Sequence, residues 1–364
     1  MKKLMIGLAA LLAASSAYAA GDAGTTVSVN GWVTVGVANV TDSGEKPRTG
    51  NKDKSGFLVN DAEVIFNVES RLSNGMTATF TAELEVNDQN WGAPTAAGAA
   101  GATAYFDEVY TRLSGVFGAV ELGENDGAAS TMLASLAGCT YFTCAGLATG
   151  AAFDYRGDFS RAYREWEVGS GGDTGDALKV SYYSPSLSGF QLGASYAFSA
   201  NNNGLVSGTA DSLGYEIGAR FKRDFGRFGV DVGAGYVLHK KESFSAVSDE
   251  SSYGVTASIS VASFTVGGAY DRRDIKTGKK DDASGFSVGV NYKSGPVLVG
   301  VNYIHEETPS DRASPASVLE KTSGLSFGVD YDLGSGVVVG ATAEFREDVD
   351  YTAKGGGVFL GLSW

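Results

Sequence analysis

Three observations predict that this 364-residue chain is all-β, with sixteen antiparallel strands closed into an up-and-down transmembrane barrel. Apolar and polar side chains alternate with a period of two along most of the sequence. Short and long connections between those segments take strict turns. A brief charged-then-apolar leader marks the N-terminus for export.

The alternation is clearest in the third segment. Met76, Ala78, Phe80, Ala82, Leu84 and Val86 share one face, and Thr77, Thr79, Thr81, Glu83 and Glu85 share the other, because successive Cβ atoms of a strand point to opposite sides. Phe228, Val230, Val232, Ala234, Tyr236 and Leu238 repeat the pattern against Gly229, Asp231, Gly233 and Gly235. The predicted strands are 27–40, 56–72, 76–87, 105–114, 118–123, 177–184, 190–199, 212–222, 227–239, 251–261, 263–271, 285–293, 296–305, 323–331, 336–348 and 357–364. The 51 glycines, 17 tyrosines and 19 phenylalanines beside 6 prolines fit strands and turns rather than helices.

Tight connections fall at Ser73-Asn74-Gly75, Gly115, Pro185–Gly189, Arg223–Gly226, Ala262, Ser294-Gly295 and Asp332–Ser335. Between them lie longer polar loops at 41–55, 88–104, 124–176, 200–211, 240–250, 272–284, 306–322 and 349–356. An up-and-down barrel sorts such connections onto two rims, whereas a soluble Greek-key sandwich has no reason to do so. An even strand number lets the first strand meet the last and removes both free edges. The apolar faces then turn outward to lipid. Aromatic residues near strand ends, among them Phe190, Tyr196, Phe264, Tyr292, Phe327 and Tyr331, form interfacial girdles.

At the N-terminus, Lys2 and Lys3 precede an apolar stretch from Leu4 to Ala14 and small residues up to Ala19. This predicts a signal peptide over 1–20, cut after Ala19 or Ala20, ahead of a barrel over 21–364. The apolar run is too short to span a membrane as a helix. The formal net charge is −14, and loss of Lys2 and Lys3 leaves 26 basic residues against 42 acidic ones. So acidic a chain does not suit nucleic acid, which needs clustered Lys and Arg.

Several segments carry a resemblance to a known family. VSVNGWVTVGV (27–37), YTRLSGVFGAVELGENDG (110–127) and SYYSPSLSGFQLGASYAF (181–198) are similar to parts of the trimeric general porins of Gram-negative bacteria, the alphaproteobacterial type especially. They resemble the first strand, the hairpin entering the constriction loop, and a Ser-Pro turn hairpin. Val358, Leu360, Leu362 and Trp364 resemble the terminal strand, with Trp where the family usually ends in Phe. The resemblance implies a homotrimer in the outer membrane, surrounded by lipid and lipopolysaccharide. Its water-filled channel would pass small hydrophilic solutes and ions by passive diffusion. A solute-selective channel for a sugar, phosphate or carboxylate is the alternative, as is a structural protein or adhesin with a plugged lumen.

One connection, 124–176, is out of proportion, and connections that long are functional or disordered. Met132, Leu133, Leu136, Tyr141, Phe142, Phe153, Tyr155, Phe159, Tyr163 and Trp166 give it apolar surface to pack against a wall. The resemblance implies that it folds into the lumen as a constriction loop. Its acids Asp154, Asp158, Glu165 and Glu167 would then face basic wall residues, for which Arg112, Arg220 and Arg346 are the candidates. Opposed charges impose a transverse field that favours polar solutes. The plainer alternative for each residue is a solvated lumen charge or a vestibule salt bridge. Other inward charges by alternation are Glu63, Glu69, Arg71, Glu83, Glu85, Glu108, Lys179, Glu216, Asp231 and Glu344.

The acidic balance predicts mild cation selectivity. Acids placed in the long loops, such as Asp271, Asp274, Asp281 and Asp282, could hold divalent cations that bridge lipopolysaccharide; no other cofactor is expected. Cys139 and Cys144 sit close together in an oxidising compartment, which predicts a small disulfide stiffening the loop. With no His nearby, a metal site is disfavoured. His239 and His305, the only histidines, fall on separate strand ends where they would meet solvent, so a Ser-His catalytic pair is not expected. Glycines on inward faces would make room for a pore or for close backbone packing, and Gly355-Gly356-Gly357 reads as a flexible loop end.

Overall fold

Period-two alternation produces strands whose outer faces need lipid and whose edges need partners, and the chain meets both needs by closing on itself. The computed structural model describes residues 24–44, 53–85, 105–143, 174–198, 212–241, 249–275, 283–309, 319–347 and 351–364. The first eight strands are β1 (Thr25–Gly44), β2 (Asp53–Arg71), β3 (Thr77–Glu85), β4 (Tyr105–Gly115), β5 (Gly118–Glu124), β6 (Leu178–Tyr183), β7 (Phe190–Ala197) and β8 (Ser212–Asp224). The second eight are β9 (Phe228–Lys241), β10 (Glu250–Val261), β11 (Phe264–Ile275), β12 (Ala283–Ser294), β13 (Val297–Pro309), β14 (Leu319–Gly334), β15 (Val337–Glu347) and β16 (Tyr351–Ser363). One helical turn, α1 (Ala128–Thr131), follows β5.

Each strand pairs antiparallel with its sequence neighbours, and β1 pairs with β16 to close a sixteen-stranded barrel. The seam is locked at the C-terminus, where Gly31 and Trp364 exchange backbone hydrogen bonds of 3.2 and 3.1 Å. Closure matters because an unpaired backbone group in hydrocarbon costs several kcal/mol.

The side chains are sorted inside out relative to a soluble protein. Along β10, Tyr253, Val255, Ile259 and Val261 point outward and are 43–52% exposed, while Glu250, Ser252 and Thr256 point inward and are 1–7% exposed. Outward Val288, Phe327 and Leu360 alternate in the same way with inward Ser287, Ser326 and Phe359. Such a wall is stable only with hydrocarbon outside it.

Seven tight turns, the start of β1 and the end of β16 share one rim, with the turns sorted as the spacing predicts. The Val261–Phe264 pair brackets a two-residue turn in which Ala262 takes φ 52°, the positive-φ geometry that suits the twist of a hairpin. A bulge places Leu84 opposite Phe106 and Ala82 opposite Val109. It turns the Phe106 ring outward while Glu108 stays on the lumen side.

At the opposite rim the strands run further than the sequence predicts. β11 continues to Ile275, so Asp271 and Asp274 are wall residues paired with Gly285 and Ser251 rather than loop residues. Asp281 and Asp282 lie outside the described residues. Gly355, Gly356 and Gly357 are not a loop end; they sit within β16, opposite Val40, Asn39 and Ala38. The physical reason is common to these cases. Apolar alternation marks only the stretch that meets lipid, whereas backbone pairing continues wherever a neighbouring strand offers partners. His239 also differs from expectation: it faces the lumen beside Glu250 and is 5% exposed.

Candidate functional site: the barrel lumen

The long connection leaves β5 at Glu124, makes the turn of α1, and then runs along the inner wall as far as its description extends, to Thr143. A backbone segment inside a barrel must find hydrogen-bond partners, and here the wall supplies them strand by strand. The Ala128 N–H donates to Ser195 Oγ on β7 at 2.8 Å, and the Ala129 N–H to Glu216 Oε2 on β8 at 2.9 Å. The Ala134 N–H donates to Thr256 Oγ1 on β10 at 2.6 Å, and the Gly138 N–H to Asn291 Oδ1 on β12 at 2.7 Å. Asn291 Nδ2 donates in return to the Cys139 carbonyl, and Asn302 Nδ2 on β13 to that of Ala137. The Tyr141 N–H ends the series on Asp330 Oδ2 of β14, at 2.5 Å.

Glycines make this contact possible. A Cβ on Gly233 would fall on the Met132 carbonyl oxygen, one on Gly289 on that of Ala137, and one on Gly300 on that of Gly138. Of the two expectations for inward glycines, close backbone packing holds along this side: the missing side chains form the bed on which the loop lies. At the far end Phe142 is fully buried and stacks on Phe359 of β16, with Tyr141 edge-on at 4.9 Å.

Every inward charge predicted on the strands lies on the lumen face, but the charges do not share one environment. On β2–β4, Asn67, Glu69, Thr79, Glu83, Glu108 and Arg112 keep accessible surface. On the loop-covered side Glu216, Glu344 and Arg346 are 2–5% exposed. The three candidate arginines are not brought together: they stand on β4, β8 and β15. Arg112 donates to Glu121 Oε1 at 2.6 Å and lies over the Tyr183 ring. Arg220 grips Asp231 with two hydrogen bonds of 2.8 and 2.7 Å, close to the tight-turn rim. Arg346 is one residue from the other end of β15. Asp154, Asp158, Glu165 and Glu167 lie outside the described residues.

The described β2–β4 wall is mainly acidic. It carries Glu83, Glu85 and Glu108 beside the buried Glu63, and where the long connection leaves and returns, oxygens of Glu108, Asp126 and Asp176 lie within 4.8 Å of one another. Cys139 is disulfide-bonded; Cys144, the only other cysteine in the sequence, lies outside the described residues.

The sequence pointed to neither Phe359 nor the hydrogen-bonding wall residues Asn291, Asn302 and Asp330. One signal was available for the first: an aromatic ring at an inward position of β16 has no place in a wet lumen unless something covers it.

A closed barrel with an oily exterior, a charged interior and a loop bedded along half of its inner wall defines a transmembrane β-barrel of the channel-forming class. The chain belongs to the Gram-negative porin family, whose model matches residues 7–351. Among curated proteins it is 28% identical over 236 residues to outer membrane porin protein 32 of Delftia acidovorans, a match spanning 64% of this chain and 59% of that protein. Its fold is similar to an anion-selective porin from Comamonas acidovorans, with TM-score 0.65, 19% identity, and 94% and 100% of the two chains covered. The trimer form of OmpT from Vibrio cholerae gives TM-score 0.62 at 15% identity, covering 94% and 100%.

Proposed function

We propose that the chain forms a water-filled outer-membrane channel for passive diffusion of small hydrophilic solutes and ions, and is not an enzyme. The observation that carries this reading is the asymmetry of the lumen. The loop bed occupies the β7–β16 side, while Asn67, Glu69, Thr79, Glu83, Glu108 and Arg112 on β2–β4 keep accessible surface, with Glu63 and Thr81 buried between them. A plugged structural barrel would bury both sides.

In this reading the leader over 1–20 is removed on export and the long loops face outward, toward lipopolysaccharide. Three copies associate through their walls, and a Cys139–Cys144 bridge stiffens the constriction loop. Asp154, Asp158, Glu165 and Glu167 complete the narrowing together with wall charges, Arg112 foremost. The acidic β2–β4 wall supports mild cation preference. Similarity to an anion-selective neighbour is at the level of fold.

Reconstitution in planar bilayers tests the proposal. Stepwise conductance, linear size-limited solute flux and a cation-side reversal potential are expected. Absence of single-channel steps from correctly folded protein would refute the channel; saturable block by one solute would replace general with selective transport.

A further inference from the structure

Two buried side chains of opposite charge grip both ends of the long connection. Glu216, on β8 and 2% exposed, accepts the Ala129 N–H at 2.9 Å through Oε2. Through Oε1 it accepts the Thr174 N–H at 2.9 Å and the Thr174 hydroxyl at 2.5 Å. Lys179, on β6 and fully buried, donates from Nζ to the carbonyls of Asn125 and Gly175. The anion therefore takes N–H donors from the departing and returning segments, and the cation takes carbonyls from the same two segments.

The surroundings are cut to fit. A Cβ on Gly127 would collide with the Glu216 carboxylate, and one on Gly214 with the Thr174 methyl. Hydrogen bonds to charged groups away from water are the strong ones, and a buried charge deprived of its partner is costly. Neither segment alone satisfies both ions.

We infer that Glu216 and Lys179 are positioning residues: a two-charge clasp that ties the entry of the loop, 125–129, to its exit, 174–175. The clasp thereby fixes how far the bedded segment can lift from the wall. Its existence is independent of solute passage; its effect on current rests on the channel reading above. Glutamine at 216 keeps the shape but removes the negative charge and turns an NH2 donor toward N–H donors, so the joint hold on the two ends is lost.

Hydrogen–deuterium exchange of the full-length folded barrel in detergent tests the clasp, read in peptides covering 125–131 and 174–178. Glu216→Gln is expected to speed exchange at both ends together by about tenfold. Gly127→Ala displaces the carboxylate while keeping its charge and is expected to do the same, as is Lys179→Met. Gly229→Ala, whose Cβ would meet only Ser260 at 3.9 Å, is expected to leave both peptides unchanged. Faster exchange at one end alone, or at neither, in folded Glu216→Gln and Lys179→Met barrels overturns the clasp. Single-channel recording separates the two proposals. Coupled exchange with noisier open-state current in Glu216→Gln supports both, whereas coupled exchange in a barrel that never conducts keeps the clasp and removes the channel.

Discussion

The ring of Phe142, in the loop, stacks on that of Phe359, on the last strand, with centroids 5.6 Å apart and planes 26° from parallel. Both rings are buried, and Gly36 and Gly357 leave the space that the Phe359 ring fills. The far end of the described loop is thus held by apolar contact as well as by the Tyr141–Asp330 hydrogen bond.

Phe142→Ala removes one side of that stack. Truncation of a buried phenylalanine costs about 3–5 kcal/mol in a packed core. The loss here is expected to fall on loop attachment rather than on barrel closure. Proteolysis near residue 142 in the folded barrel should accelerate while the barrel's melting temperature moves little. Unchanged protease resistance would show that Phe142 does not hold the loop.

The glycine bed predicts a position-dependent response to one methyl group. Gly289→Ala places its Cβ on the Ala137 carbonyl oxygen, and forced overpacking of this kind costs about 1–3 kcal/mol. The loop must lift, so single-channel conductance is expected to change. Gly229→Ala, whose Cβ would make only an ordinary contact with Ser260 at 3.9 Å, should leave conductance at the wild-type value.

The outward face should reject charge and the inward face accept it. Val288 is 52% exposed on the mid-depth outer surface of β12, where arginine is expected to cost about 2–4 kcal/mol. Ser258, on the inner face of β10 beside Asp231 in register, should take arginine at little cost. Reversible unfolding in lipid vesicles measures both; equal penalties would contradict the assignment of faces.

Cys139 is disulfide-bonded, and its carbonyl also accepts from Asn291 Nδ2 at 2.6 Å. Denatured, unreduced protein should therefore take up no thiol label, and reduced protein two. Cys139→Ser should retain the Asn291 hydrogen bond, which uses only the backbone, and so leave the loop on the wall. Faster exchange confined to the neighbourhood of residue 139 is the expected signature.

Much of the barrel was legible in the sequence. A strand facing lipid on one side and water on the other must alternate residue by residue, whatever its neighbours are, so Phe228–Leu238 and Met76–Val86 announced their faces locally. Strand number, loop sorting and the lumen placement of Glu216, Lys179 and Arg220 followed from the same rule. What lies against those inward faces was not local. A glycine turned inward reads the same whether it borders water or another backbone, and Gly233 could not disclose Met132. Tyr141 meets Asp330, and Phe142 meets Phe359, across more than half the chain. Only closure of the barrel brings those partners together. The sequence by itself determined the wall and its two solvents; the tertiary structure decided where the loop lies, which lumen charges it buries and which it leaves wet, because those contacts exist only between segments that no periodicity links.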